Sequence, residues 1–227
     1  MTSLPIILDD LFDKDLQDQI EDCMFDCDWS FFNDSALGSN PSDSKYRQFF
    51  NPLEYDIAPI FIANLLSPLN SKSFEKIRLI IHAACNKINF NIEKIQRCYS
   101  AIGAFIPDKT KKNTIHVNQN VPHLVLLYYV NDSDGDTILY DKTIDDIPSS
   151  VLYPDEYCDM NITHRVTPKK GRVLIFDGRY YHAPSSPTKS MRCIITLDLF
   201  GNFLDNSYSF PIPDTREETT TRKITYS

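Results

Sequence analysis

The chain of 227 residues is long enough for one large domain with a sizeable core, and its length alone does not demand two. A hydrophobic content of 42% with 12% aromatics fits a globular protein. A net charge of −8 argues against a nucleic-acid surface, which needs clustered Lys and Arg. The short basic runs "DKTKKN" (108–113) and "TPKKGR" (167–172) read as solvated turns. No window approaches the roughly 18 uncharged apolar residues of a membrane span. The opening "MTSLPIILDDLFDKD" lacks the basic segment and apolar run of a signal peptide, so a cytoplasmic protein with no membrane partner is expected. Cys23, Cys27, Cys85, Cys98, Cys158 and Cys193 show no C-x-x-C spacing and fit reduced thiols. Cys23 and Cys27, one helical turn apart, read as buried thiols rather than half of a zinc site.

Residues 13–27 carry a helical stripe of Leu16, Ile20, Cys23, Met24 and Cys27, with Asp13 or Asp15 as N-cap. Trp29, Phe31 and Phe32 follow and are expected to pack beneath it. The polar "NDSALGSNPSDSK" (33–45) reads as a surface loop. A second helix is predicted over 73–89, with Phe74, Ile77, Ile80, Ile81, Ala84, Cys85 and Ile88 on one side. From Ile92 the pattern changes to short β-type runs at 93–106, 123–130, 137–140, 163–166, 172–177 and 191–200. Helices followed by strands suggest an α+β chain whose antiparallel sheets form a sandwich or closed roll. The expected organisation is a single domain: an N-terminal helical support region at 1–91, a β core at 92–204 and a polar tail at 205–227.

Five histidines are present. His82 reads as a helix-surface or packing residue, and His123 and His164, at the starts of strands, as structural. His116 lies in "IHVN", where positions 116 and 118 point to one strand face because side chains alternate with period two. A histidine and an oxygen donor there can bind one cation together, and His182, after the turn at Asp177-Gly178, can return to the same centre. Two histidines and a carboxylate form the facial triad of non-haem iron oxygenases. Spacing alone leaves two unrelated structural histidines as the competing explanation. Asp132, Asp134 and Asp136 invite a calcium reading, but an EF-hand loop would place a glutamate where Thr143 stands, so a charged hairpin turn is preferred.

Taken together, "IHVN…LLYYVNDSDGDTILY" and "PKKGRVLIFDGRYYHAPSSPTKSMRCIITLDL" resemble the Fe(II)- and 2-oxoglutarate-dependent dioxygenases of the prolyl 4-hydroxylase type. The matching elements are His116, "YYVN" (128–131), Gly135 to Thr137, Pro168 to Phe176, His182 and Arg192, across roughly residues 92–200. The "NDSDGDT" turn is similar to versions found in tailed phages of marine bacteria, which implies a phage-type variant working in a host cytoplasm. The resemblance implies a double-stranded β-helix (jelly-roll) core supported by the N-terminal helices. It implies His116, Asn118 and His182 as catalytic metal ligands. Arg192 would pair with the distal carboxylate of 2-oxoglutarate, with Tyr129, Thr196 and Tyr99 as further contacts. It also implies Fe(II) and 2-oxoglutarate as cofactors, ascorbate as a further candidate, dioxygen as co-substrate, and hydroxylation of a C–H bond in a peptidyl-prolyl or small-molecule substrate with release of succinate and CO2. The acidic charge argues against nucleic acid as that substrate, and the loops 33–48 and 141–162 are expected to contact it.

One position departs from the pattern: residue 118 should be aspartate and is asparagine. Its carbonyl can still face Fe(II), but without charge, so metal affinity should fall. Asn120 is another amide on the same face, and the nearest acids, Asp108 and Asp132, belong to turns. Three accounts stay open: an enzyme with an amide ligand, an enzyme in which another group moves in, or a catalytically degenerate β-roll kept for binding or structure.

Overall fold

The computed structural model describes residues 4–32, 60–103, 115–119, 121–148 and 158–204. The chain runs β1 (Ile6–Leu8), α1 (Lys14–Phe25), β2 (Ser30–Phe32), β3 (Ile60–Asn64), α2 (Ser71–Lys87) and β4 (Phe90–Gly103). It continues through β5 (Leu124–Tyr129), β6 (Thr137–Thr143), β7 (Ile162–Val166), β8 (Val173–Asp177), β9 (Tyr180–Pro184) and β10 (Arg192–Phe203). The larger sheet has the order β1-β8-β5-β10-β4-β3-β2 and the smaller one β7-β6-β9, and every pairing is antiparallel.

The side-chain alternation of β5 explains how the layers assemble. Leu124, Leu126 and Tyr128 point to one face and pack with Ile195, Leu197 and Leu199 of β10 against Ile20, Cys23 and Met24 of α1 and Ile77, Ile81 and Ala84 of α2. Val125, Leu127 and Tyr129 point to the other and pack with Leu174, Phe176 and Ile194 against Leu139 and Val166 of the smaller sheet. Both faces of β5 are therefore covered, which is why "LVLLYY" reads as a continuous apolar run rather than an alternating one. Two antiparallel sheets around a shared inner core, with two helices on the outer face of the larger one, are consistent with the expected jelly roll.

Both helices start with definable chemistry. The Asp13 carboxylate accepts from the Leu16 backbone N–H at 2.9 Å, which fixes the start of α1. α2 follows directly on a short 3-10 turn, Pro68–Asn70. Its Ser73 Oγ donates to the Cys23 carbonyl at 3.2 Å, which ties the two helices together. Cys23, Cys27, Cys85 and Cys98 are buried free thiols, and burial pushes Cys85 up to about 12.

Several expectations are corrected. The first 91 residues are not purely helical: β1 pairs with β8, β3 with β4 and β2 with β3, so this stretch contributes three strands to the larger sheet. Trp29 does pack under α1, its Nε1 donating to the Met24 carbonyl at 2.9 Å, whereas Phe31 is 56% exposed beside Phe61 on the sheet edge. "TPKKGR" is not merely solvated. Arg172 forks onto Asp9 at 2.7 and 2.8 Å, and Lys170 reaches Asp18 and Glu21 of α1, so this turn clamps the N-terminal segment to the sheet. The loop 33–48, all of "DKTKKN" (108–113), Asn120, residues 149–157 of the 141–162 loop and the tail 205–227 lie outside the described residues.

Candidate functional site

His116 and His182 meet through their backbones. Each donates its N–H to the other's carbonyl at 2.9 Å, in an isolated antiparallel bridge, and the ring centroids lie 4.6 Å apart. This bridge brings residues far apart in sequence into one pair. His182 is carried on β9 and abuts Phe176 edge-on at 5.0 Å. Its Nδ1 lies 3.0 Å from the Tyr180 carbonyl. A carbonyl only accepts, so Nδ1 carries the proton and Nε2 keeps its lone pair, the form a metal requires. Burial, and then the neighbouring His116, hold His182 well below its ordinary pKa, so the ring stays neutral.

The anion-binding candidates lie on β4, β5 and β10, and Thr137 of β6 joins them. Arg192 and Tyr129 converge on one hydroxyl: Arg192 Nη2 and the Tyr129 O–H each donate to Thr137 Oγ1 at 2.7 Å. The guanidinium sits 5.8 Å from the Tyr129 ring centroid. A Cβ at Gly135 would lie 2.9 Å from the Ser185 carbonyl and 3.1 Å from Arg192 Cδ, so a side chain there would crowd the arginine stem. Arg192 Nε and Thr196 Oγ1 are buried without a hydrogen-bond partner. Tyr99 stands opposite Thr196 in the β4–β10 register. Burial lowers the pKa of Arg192 and raises those of Tyr129 and Tyr99, so the buried cation gains from an anion beside it.

A cavity of about 380 Å³ between the sheets is lined by His116, Asn118, His182, Tyr99, Arg192 and Thr196, among others. Of the seven residues singled out from sequence, six therefore share one cavity. Tyr129 does not line it and bears on it through Thr137 and through its ring beside Arg192. Ala101, Val125, Leu127 and Ile194 supply apolar wall, and Ile60, Ile62 and Gln96 extend it along β3 and β4.

Asn118 has a neighbour that the local sequence does not disclose. Its Nδ2 donates to Asp198 Oδ1 at 2.9 Å, while Gln119 Nε2 and Arg97 Nε donate to Asp198 Oδ2 at 3.1 and 2.6 Å. Asp198 is completely buried. A signal for it did exist: the period of two that puts Arg192 and Thr196 on one face of β10 continues to Asp198. Thr137 marked the end of the glycine turn in the sequence, and its hydroxyl proves to organise the arginine. Among the described residues no three His, Cys, Asp or Glu side chains converge as a metal site, and Asn118 lines the same cavity as the two histidines.

The remaining candidates have structural partners. Asp132 accepts from Lys170 N at 2.7 Å, Asp134 from Thr188 Oγ1 at 2.6 Å and Asp136 from Thr167 Oγ1 at 2.8 Å, so the acidic run staples neighbouring loops. His82 and His164 are exposed. His123 is buried, with Nδ1 2.7 Å from the Val121 carbonyl. A Cβ at Gly178 would sit 2.0 Å from its Nε2, so only glycine lets the chain pass from β8 to β9 there.

No protein-family model matches the sequence, and no curated protein matches it as a relative. Solved structures do match in fold. An oxidoreductase of the 2OG-Fe(II) oxygenase family from Burkholderia pseudomallei superposes with a TM-score of 0.52 at 10% identity, covering 86% of this chain and 84% of that one. HygX from Streptomyces hygroscopicus, solved with nickel and 2-oxoglutarate bound, superposes with a TM-score of 0.52 at 12% identity, covering 88% of this chain and 83% of that one. The chain thus has the fold of 2-oxoglutarate/Fe(II) oxygenases, and at such identities the likeness is one of fold. No helix among the described residues is long and apolar enough to cross a membrane.

Proposed function

We propose that this chain is an Fe(II)- and 2-oxoglutarate-dependent dioxygenase that hydroxylates a C–H bond of a peptidyl-prolyl or small-molecule substrate. The observation that carries this reading is the buried Arg192. Its Nε has no partner, an unpartnered Thr196 hydroxyl lies in the same cavity, and so do two histidines and Asn118. A buried cation with spare donors is suited to a carboxylate, and a pair of imidazoles with a carbonyl donor suits a divalent metal, so the residues fit both groups.

His116, His182 and the Asn118 carbonyl would hold Fe(II), and Arg192, Thr196 and Tyr99 the distal carboxylate of 2-oxoglutarate. With both groups bound, dioxygen would be the oxidant: 2-oxoglutarate would be oxidatively decarboxylated to succinate and CO2, taking up one oxygen atom, and the substrate C–H bond would take up the other as hydroxyl. The chain's own contribution is positioning and exclusion of water. Thr137, held by Tyr129, anchors Nη2 of Arg192, while Nε is left without a partner in the protein. The Tyr180 carbonyl keeps the His182 proton on Nδ1. The apolar wall from β4, β5 and β10 keeps the reacting region dry.

The test is anaerobic titration with Fe(II) and 2-oxoglutarate, following the charge-transfer absorption of the ternary complex, then succinate release on admitting oxygen. Both signals are expected from the wild type; absence of both removes the oxygenase reading. One observation favours a second reading, a β-roll that binds without turnover: the third donor, Asn118, is uncharged. That reading expects 2-oxoglutarate or another dicarboxylate to bind at Arg192 with no succinate formed.

A further inference from the structure

We infer that Asp198 is the carboxylate of this centre, exchanged in position with residue 118 and acting on the metal site through Asn118. The inference rests on the oxygenase reading above and concerns a residue on a different strand from the "IHVN" motif. Asp198 is fully buried, two residues along β10 from the cavity-lining Thr196, and receives three side-chain donors, from Asn118, Gln119 and Arg97. Both of its oxygens are engaged by these N–H donors, so toward Asn118 this side chain serves as an acceptor.

Two consequences follow for Asn118. Because Asp198 serves as its acceptor, the end of the amide turned toward it must be the NH2, and the carbonyl is left as the end available to the cavity that Asn118 lines. An amide that donates to a carboxylate is also polarised, with more negative charge on its oxygen, which makes that oxygen a better donor to a cation. Arg97, opposite Asp198 in the β4–β10 register, ties down the second carboxylate oxygen and offsets much of its charge. Asp198 therefore works mainly by orienting and polarising Asn118, which makes it a positioning residue.

The pair is complementary only as one acid and one amide. Aspartate at both positions would set two acceptors 2.9 Å apart, and asparagine at both would discard the charge. Aspartate at 118 with asparagine at 198 keeps the contact and reverses the donor. Restoring the acid at 118 alone is thus the wrong repair for this chain, because residue 198 has already taken that role.

Four proteins test this: wild type, Asp198→Asn, Asn118→Asp, and the swap Asn118→Asp/Asp198→Asn. Each is titrated anaerobically with Co(II) in the presence of 2-oxoglutarate, reading the visible ligand-field bands and the apparent Kd, and each is melted without metal to establish that it folds. Loss of an outer ligand partner weakens metal binding by about 10- to 100-fold. Asp198→Asn is expected to fall in that range, Asn118→Asp alone to bind more weakly than the swap, and the swap to recover the wild-type affinity within about tenfold. Should Asp198→Asn not fold, the comparison of Asn118→Asp with the swap still decides. Wild-type affinity in a folded Asp198→Asn, or an Asn118→Asp that binds as tightly as the swap, would overturn this inference and leave the oxygenase reading standing. Absence of Co(II) binding in all four would overturn both.

Discussion

At the scale of single residues, the planarity of Arg192 matters as much as its charge. Nη2 is committed to Thr137 at 2.7 Å while Nε has no partner in the protein, so one guanidinium is both anchored and able to donate. Lysine would bring a point charge on a flexible stem and could not hold both directions. Arg192→Lys should weaken 2-oxoglutarate binding about tenfold or more, on the scale of one charge-assisted hydrogen bond, while the melting temperature of the free protein stays close to wild type. Calorimetric titration of both proteins with 2-oxoglutarate and Mn(II) measures this, and an unchanged Kd would remove Arg192 from the anion end of the site. The residues that the sequence singled out by motif and resemblance, His116, Asn118, His182 and Arg192, line one cavity. Asp198 shares the β10 alternation with Arg192 and Thr196, but that Asn118 donates to it and that Arg97 stands opposite it depend on the folded arrangement and left no local signal. Thr137 was hidden because a threonine at the end of a turn says nothing of what its hydroxyl receives.

At the scale of elements, α1 and α2 were legible because an amphipathic stripe and an N-cap are local signals, and they appear within two residues of the predicted bounds. β1 and β2, of three residues each, were not, because such short strands owe their existence to the β8 and β3 edges they pair with. β9 was missed because "YYHAP" follows a turn so closely that it reads as its continuation. The turn between β5 and β6 makes a testable case. Asp134 accepts from Thr188 N, Thr188 Oγ1 and Lys189 N and so ties this turn to the segment before β10. These bonds, the Thr188 hydroxyl first, hold its carboxyl at about 2. A carboxylate depressed in the folded state contributes stability that is fully present above the unfolded value of about 4 and is lost as pH falls through the folded one. Wild type should therefore melt above Asp134→Asn at pH 5, with the gap closing toward pH 2. A gap that persists at pH 2 would show that the carboxylate charge is not what holds the loop.

At the scale of the whole molecule, the candidate site belongs to neither sheet alone. Arg192 and Thr196 come from β10 of the larger sheet, while Thr137 and His182 come from β6 and β9 of the smaller one. The inner core that joins the sheets is interrupted at the cavity, where the buried Arg192 Nε and Thr196 Oγ1 lack hydrogen bonds in the free protein. Such groups cost stability when unpaired and return it when a ligand pairs them. A dicarboxylate with a divalent metal would contact both sheets at once, and the unfolded chain offers no such site. Ligand that binds only the folded state at about 100 times its Kd adds roughly 2.7 kcal/mol. For a chain of this size that corresponds to a rise in melting temperature of about 5–10 °C. Mn(II) with 2-oxoglutarate should produce this rise, either component alone less, and removal of the metal by a chelator should reverse it. Arg192→Met should lose the increment due to 2-oxoglutarate while keeping that due to the metal, because in the proposed site the arginine would hold the carboxylate and the histidines the metal. If the metal increment vanished as well, the two ligands would not be separable, and the cavity would have to be understood as a single anion site with no metal in it.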